Sequence, residues 1–314
     1  MNLKRTHKMI TSGRLTVPLV ILFSAGMRLF YGVGFNEYIV WINFAIQTAV
    51  AFLLLKINHD YTIISKKTFL PFLFFMLFFA ADVDSYADLY GNISVVLMAL
   101  CLGQAFKTYQ DADSHLESQA FSYNIAFILT AGSILCWSPL VLFIPVFWVG
   151  FYYFKSLNFR SFFASVFGIL TVYLFLSVWA IYNQDWSIFL DKIFQFELYQ
   201  PVWIDFSWYE WMIWGVVLFL IIISGINIFI SGFSERIRTW KFLQFLFLMA
   251  VVCIVAMCVF QLLFPVVHLI LYIPFALIIG HYFTLSESKW GVYLFLLTVV
   301  FYLTYYIAQC LDPM

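Results

Sequence analysis

Charge is what this chain has least of. Asp, Glu, Lys and Arg together make up 10% of its 314 residues, against roughly 25% in an ordinary soluble domain. Hydrophobic residues fill 64%, and the mean hydropathy is +0.96. So little polar surface cannot clothe a water-soluble globule of this length. The apolar side chains must face lipid as well as one another. The 16 bases balance the 16 acids, so a net field that would draw nucleic acid is missing.

Cysteine is also sparse, with five residues: Cys101, Cys136, Cys253, Cys258 and Cys310. None forms a CxxC pair or joins a histidine at ligand spacing, which excludes a zinc or dithiol motif. They read as small buried hydrophobes. Cys136 and Cys310 both fall toward the outer face, where a pairing between them stays open. Walker, G-x-S-x-G and dinucleotide glycine patterns are missing at usable positions. ATP chemistry and an organic cofactor therefore have no sequence support. The first apolar run is not followed by a small-residue cleavage site, so it does not read as a cleavable signal peptide.

What the chain does have is long apolar runs. A bilayer-crossing helix needs about 20 mostly apolar residues, because the hydrocarbon layer is roughly 30 Å thick. Runs that qualify cover 15–32, 38–56, 68–83, 92–107, 120–135, 138–155, 161–182, 208–231, 241–262, 265–283 and 289–309. The fold class is an all-α polytopic transmembrane bundle of about eleven spans. Ten is the alternative count, since the third and fifth runs are short. Residues 1–14 form a basic cytoplasmic segment, 15–309 a single transmembrane domain, and 310–314 a short outer tail.

The bases test that count. With the N-terminus inside, Lys4, Arg5, Lys8, Arg14, Lys56, Lys66, Lys67, Lys107, Lys155, Arg160, Arg236, Arg238, Lys241 and Lys289 all fall on the cytoplasmic side. Only Arg28, within the first run, and Lys192 are left over. Such a bias is the positive-inside rule, and removing one span would scramble it. The alternation implies a cytoplasmic N-terminus, an extracytoplasmic C-terminus and the cytoplasmic (inner) membrane. The outer side is correspondingly acidic, holding Glu37, Asp82, Asp84, Asp88, Asp185, Asp191, Glu197, Asp205, Glu210 and Asp312.

Most connections are short. The outer loop 183–207 is the longest, and within it Trp186, Phe189, Leu190, Ile193 and Phe194 recur at helical spacing. The segment 186–198 is too short to span and reads as an amphipathic helix lying on the membrane surface. Trp203, Trp208, Trp211 and Trp214 follow, an interfacial belt or a platform for sugar or lipid. Segments 138–154 and 264–283 each carry two prolines, a faint internal repeat that helix kinks explain equally well.

Few residues could carry chemistry. Arg28 lies about 20 Å along the first span from Leu15 at 1.5 Å per residue. It either snorkels to headgroups or faces the bundle, where its fork suits a lipid phosphate. Glu37 opens the second span, as a carboxylate near a helix N-terminus or as a general base at the outer leaflet. Asp82, Asp84 and Asp88 form AADVDSYAD, a solvated acidic loop or a divalent-cation site on Asp82 and Asp84. Asp84 joins Glu37 as a catalytic candidate. Asn43 and Gln47, four apart, share a face suited to interhelical hydrogen bonds. His268 and His281 are too far apart to make a local ligand pair.

The stretch from Asn124 through Phe196, with SPLVLFIPVFW, YYFKSLNFRSFFASVFGIL and WAIYNQDW, resembles an uncharacterised family of Bacteroidetes-type polytopic membrane proteins. Upstream, LLLKINHDYTIISKKTFLPFLFFMLF is similar to the same family. The resemblance implies an inner-membrane protein of many spans and brings no catalytic residue. A looser likeness is to the membrane-embedded, lipid-carrier-dependent glycosyltransferases, which implies an essential outer carboxylate after the first span, the place of Glu37. Those enzymes carry helices in the first outer loop, where this chain has only GVGFNE.

Three function classes follow. The first is a non-catalytic accessory or scaffold protein of cell-envelope biogenesis, with the bilayer and envelope proteins as partners. The second is an enzyme on a polyprenyl-phosphate-linked glycan, using Glu37 or Asp84 with Arg28; only this reading calls for a divalent cation. The third is a transporter, for which charged or broken mid-bilayer helices are scarce.

Overall fold

The computed structural model describes residue 13 and residues 15–34, 36–110, 115–136, 139–184, 186, 208–231, 236–259, 264–286 and 289–311. Among these, all regular structure is helical. In chain order come α1 (Thr16–Phe30), α2 (Tyr38–Tyr61), α3 (Leu70–Ala81), a 3-10 turn (Asp84–Tyr86), α4 (Leu89–Gln110) and α5 (His115–Cys136). A second 3-10 segment (Pro139–Phe143) runs into α6 (Ile144–Tyr153). Then follow α7 (Phe159–Asn183), α8 (Trp208–Ser231), α9 (Ile237–Val259), α10 (Phe264–Leu285) and α11 (Lys289–Leu311).

Each of the eleven expected runs has a helix. Eight of these (α2, α4, α5 and α7 to α11) are long and apolar enough to cross a membrane. The other three are shorter, for reasons visible in the residues. Pro71 sits in the first turn of α3 and Asp82 caps its end, leaving 12 helical residues. At 1.5 Å per residue that is about 18 Å, well short of a bilayer core. Every residue from Leu70 to Ala81 is buried, so its helix ends meet protein rather than lipid, the one setting that tolerates a short intramembrane helix. In the sixth run Pro145 restarts the helix: it stands in the first turn of α6, where its missing N–H costs nothing, and the preceding turn is 3-10. Pro274, by contrast, lies inside a continuous α10. The two proline-bearing segments thus differ in backbone.

The chain divides into two compact units. The first comprises residues 1–92, 204–251 and 269–314. It is built around α3, which packs against α1, α2 and α11. Aromatic rings fill that core. Phe78 lies 4.8 Å from Phe275 and 4.6 Å from Tyr302, and Phe74 lies 5.5 Å from Phe283, centre to centre. At the other end of α2, Arg238 donates to the Tyr61 carbonyl at 3.1 Å, and the Thr239 hydroxyl donates to the Thr62 carbonyl at 3.2 Å.

The second unit comprises residues 93–203 and 252–268. Its main contact is α5 against α7. Ser161, Ser165 and Gly168 place small side chains along one face of α7, and all three are buried. A Cβ added at Gly168 would stand 2.5 Å from the Tyr123 carbonyl oxygen, so the two backbones touch only because that atom is missing. The Ser122 hydroxyl donates to the Ser161 carbonyl at 2.7 Å across the same seam. Asn158 and Ser161 form a capping box that starts α7. The opposite face of α7 exposes Phe159, Phe167, Leu170, Leu174 and Phe175, as a lipid-facing surface requires.

The basic segment 1–12 with Arg14, the tail 312–314, and Lys192, Asp191, Glu197, Trp203 and Asp205 lie outside the described residues. So does the expected surface helix 186–198 apart from Trp186, which is exposed.

Candidate functional site

One group of buried polar residues in the first unit gathers at one end, around the loops 31–37 and 82–88. Arg28 is the centre of one group. It occupies the last turn of α1, where the helix dipole favours a cation, and its side chain is fully buried at 0% exposure. It therefore does not snorkel to a surface. One terminal nitrogen donates to the carbonyl and the hydroxyl of Ser24, one turn back, at 3.1 and 2.9 Å. The other donates to Oε1 of Gln47 on α2. The flat guanidinium lies between two rings, its carbon 4.7 Å from the centre of Phe44 and 4.3 Å from that of Tyr86.

Gln47 and Asn43 carry the interhelical bonding that their shared face implies. Gln47 donates to Oδ1 of Asn92 at 2.9 Å, and Asn92 donates to the Ser85 carbonyl at 2.9 Å and the Asp88 carbonyl at 2.5 Å. Asn43 donates to the Tyr86 carbonyl at 2.9 Å. The Tyr86 hydroxyl donates to the Ala80 carbonyl at 2.5 Å, and the Tyr306 hydroxyl donates to the Met27 carbonyl. Burial pushes the Tyr86 phenol up, beyond its ordinary range, with the Arg28 charge acting in the opposite sense; the ring stays neutral. One network thus ties α1, α2, the 82–88 turn, α4 and α11.

Moving a guanidinium out of water costs several kcal/mol even after relaxation. Among the described residues Arg28 has no carboxylate at ion-pair distance. Its compensation comes from amide, hydroxyl and carbonyl oxygens, and from two ring faces worth up to about 2 kcal/mol when desolvated. Two polar atoms in this group have no hydrogen-bond partner, Nε of Arg28 and Oδ1 of Asn43.

The carboxylates do not join Arg28. Glu37 is exposed at the start of α2 and accepts from the Gly34 N–H at 3.2 Å, holding the short loop closed. Asp84 is exposed in the 3-10 turn. Asp82 is buried at the end of α3, where it accepts from the Tyr272 hydroxyl at 3.2 Å. Asp88 accepts from the Gly91 N–H at 2.9 Å and so starts α4. Among the described residues no three His, Cys, Asp or Glu side chains converge in a metal-binding group. His268 bonds the Phe264 carbonyl at 2.8 Å, and His281 is buried in α10. All five cysteines are free thiols.

Sequence reasoning missed the tyrosines. Tyr86, Tyr272, Tyr302, Tyr305 and Tyr306 all take part at this end, and nothing local separates them from the rest of the chain's 19 tyrosines. The available signal was weak: Tyr302, Tyr305, Tyr306 and Gln309 fall three or four residues apart, on one face of α11. No protein-family model, curated protein or solved structure matches this chain.

Proposed function

We propose that this multispanning membrane protein is a non-catalytic accessory or scaffold of cell-envelope biogenesis, seated in the inner membrane with its N-terminus inside and C-terminus outside. The observation that carries the reading is the engagement of Arg28. Both terminal nitrogens of the residue best suited to grip a phosphate are taken up by Ser24 and Gln47, and its faces are covered by Phe44 and Tyr86. A guanidinium so enclosed acts as a clamp between helices. Glu37 and Asp84, the two carboxylates suited to catalysis, are exposed instead of sharing a buried site with it. The resemblance to a polytopic family without assigned activity agrees with this.

The second reading is an enzyme on a polyprenyl-phosphate-linked glycan, and the unpartnered Nε–H of Arg28 is what favours it, since a phosphate oxygen is the natural acceptor for that donor. The two readings separate on one experiment. A chain carrying both Glu37→Gln and Asp84→Asn, produced at the native level in cells lacking the gene, is expected to restore envelope integrity fully. Loss of rescue with normal membrane levels would overturn the scaffold reading and favour the enzyme.

A further inference from the structure

Beside the Arg28 network lies a second buried polar group of different sign. Asp82 and Phe78 are four residues apart and share a face at the end of α3. The rings of Tyr272 and Tyr302 both pack on Phe78, at 5.7 and 4.6 Å between centres. One turn further along, the Tyr272 hydroxyl donates to Asp82 at 3.2 Å. Tyr302 is 1% exposed and its hydroxyl has no hydrogen-bond partner. Tyr305 follows Tyr302 by three residues on α11. Gln309 fixes its height: it accepts from the Val83 N–H at 3.3 Å and donates to the Tyr305 hydroxyl at 2.9 Å.

We propose that Asp82 and the hydroxyl oxygens of Tyr272, Tyr302 and Tyr305 form a binding site for a hard monovalent cation, an alkali ion such as Na⁺. Carboxylate and phenol oxygens are hard donors, and a lone pair on the unpartnered Tyr302 oxygen supplies what such an ion coordinates. A single buried carboxylate neutralises one positive charge, which fits an alkali ion. A divalent ion normally recruits several carboxylates, and no such convergence exists among the described residues. The site is independent of the scaffold reading and would equally serve a transporter.

Thermal unfolding of the full chain in detergent tests it, using NaCl, KCl and N-methyl-D-glucamine chloride at one ionic strength. The melting temperature is expected to rise saturably with Na⁺ or K⁺ relative to the organic cation, because an ion bound only by the folded state stabilises it by mass action. Asp82→Asn is expected to abolish the rise. Tyr302→Phe removes an oxygen with no protein partner, so it should melt normally without alkali ions. Its half-saturating Na⁺ concentration should increase about tenfold, the loss of roughly 1.4 kcal/mol of binding. Identical melting in all three salts, including a response to pH alone, overturns the proposal; so does an Asp82→Asn chain that still responds to Na⁺. Where Asp82→Asn yields no folded protein, an unchanged Na⁺ midpoint in Tyr302→Phe overturns it equally.

Discussion

The guanidinium carbon of Arg28 stands 4.3 Å from the centre of the Tyr86 ring, which joins the end of α1 to the turn between α3 and α4. Phe44 closes the other side at 4.7 Å. A buried cation is thus held by two π faces and by oxygen atoms of Ser24 and Gln47. Because this arrangement depends on a flat, forked group, lysine is a poor replacement: its compact ammonium keeps the buried charge and gives up the stacking geometry. Arg28→Lys is expected to lower stability by about 2–4 kcal/mol, read as a fall in melting temperature in detergent. Arg28→Met removes the charge along with its desolvation cost and should be the less damaging change. A lysine variant that melts like the native chain would show that the fork and the stacking contribute nothing.

Tyr86 contributes in two separable ways. Tyr86→Phe keeps the ring over Arg28 and removes only the hydrogen bond to Ala80, a loss of about 1 kcal/mol. Tyr86→Leu also removes the ring face. In a double-mutant cycle with Arg28→Met, leucine should show a coupling of about 1–2 kcal/mol, while phenylalanine should show little. Equal coupling for both would place the interaction in the hydroxyl instead.

Much of this arrangement can be read from the residues, and the unreadable part has a physical cause. Arg28, Asn43 and Gln47 stand out because polar groups inside apolar runs need partners, and the structure bonds Asn43 and Gln47 across helices. Their partners are the obscure half. Ser24 is local, one turn before Arg28 on α1, but Tyr86 and Asn92 become identifiable only when distant parts of the chain meet. The enclosure of α3 was hidden for another reason. LPFLFFMLFFAA is apolar on every side, and such a helix suits a protein interior and a lipid surface equally well, since lipid tails are as apolar as leucine. Exposed α7 and enclosed α3 are therefore alike to hydropathy. The carboxylates show the opposite limit: AADVDSYAD is a single motif in sequence, yet Asp82 is buried and Asp84 exposed, because Asp82 caps the buried α3 and Asp84 opens the 3-10 turn that follows.

In the second unit the backbones of α5 and α7 come close together at Gly168. A methyl group at position 168 would meet the Tyr123 carbonyl oxygen at 2.5 Å and the Phe127 nitrogen at 3.1 Å. Main-chain atoms inside a helix cannot rotate away as a side chain can. Gly168→Ala is therefore expected to force α5 and α7 apart and cost about 1–3 kcal/mol, even though alanine is the better helix former. Gly215→Ala serves as the control, since a Cβ there meets nothing within 4 Å; it should be neutral or slightly stabilising. If the two variants melt alike, the seam is looser than its geometry implies.

The charge asymmetry makes the orientation testable one residue at a time. Glu37 and Lys66 are both exposed, at opposite ends of α2, so the positive-inside assignment puts them on opposite sides of the membrane. In a background without the exposed Cys258 and half-buried Cys310, Glu37→Cys is expected to react with a membrane-impermeant maleimide in intact spheroplasts. Lys66→Cys should react only after lysis. The pair is informative because α2 is one of the eight helices long enough to cross, so its ends must differ if it spans. Reaction at Lys66 alone in intact spheroplasts inverts the orientation and turns the acidic loops toward the cytoplasm. Reaction at both positions would mean that α2 does not cross, and the alternation of the fourteen bases would then need a different set of spans.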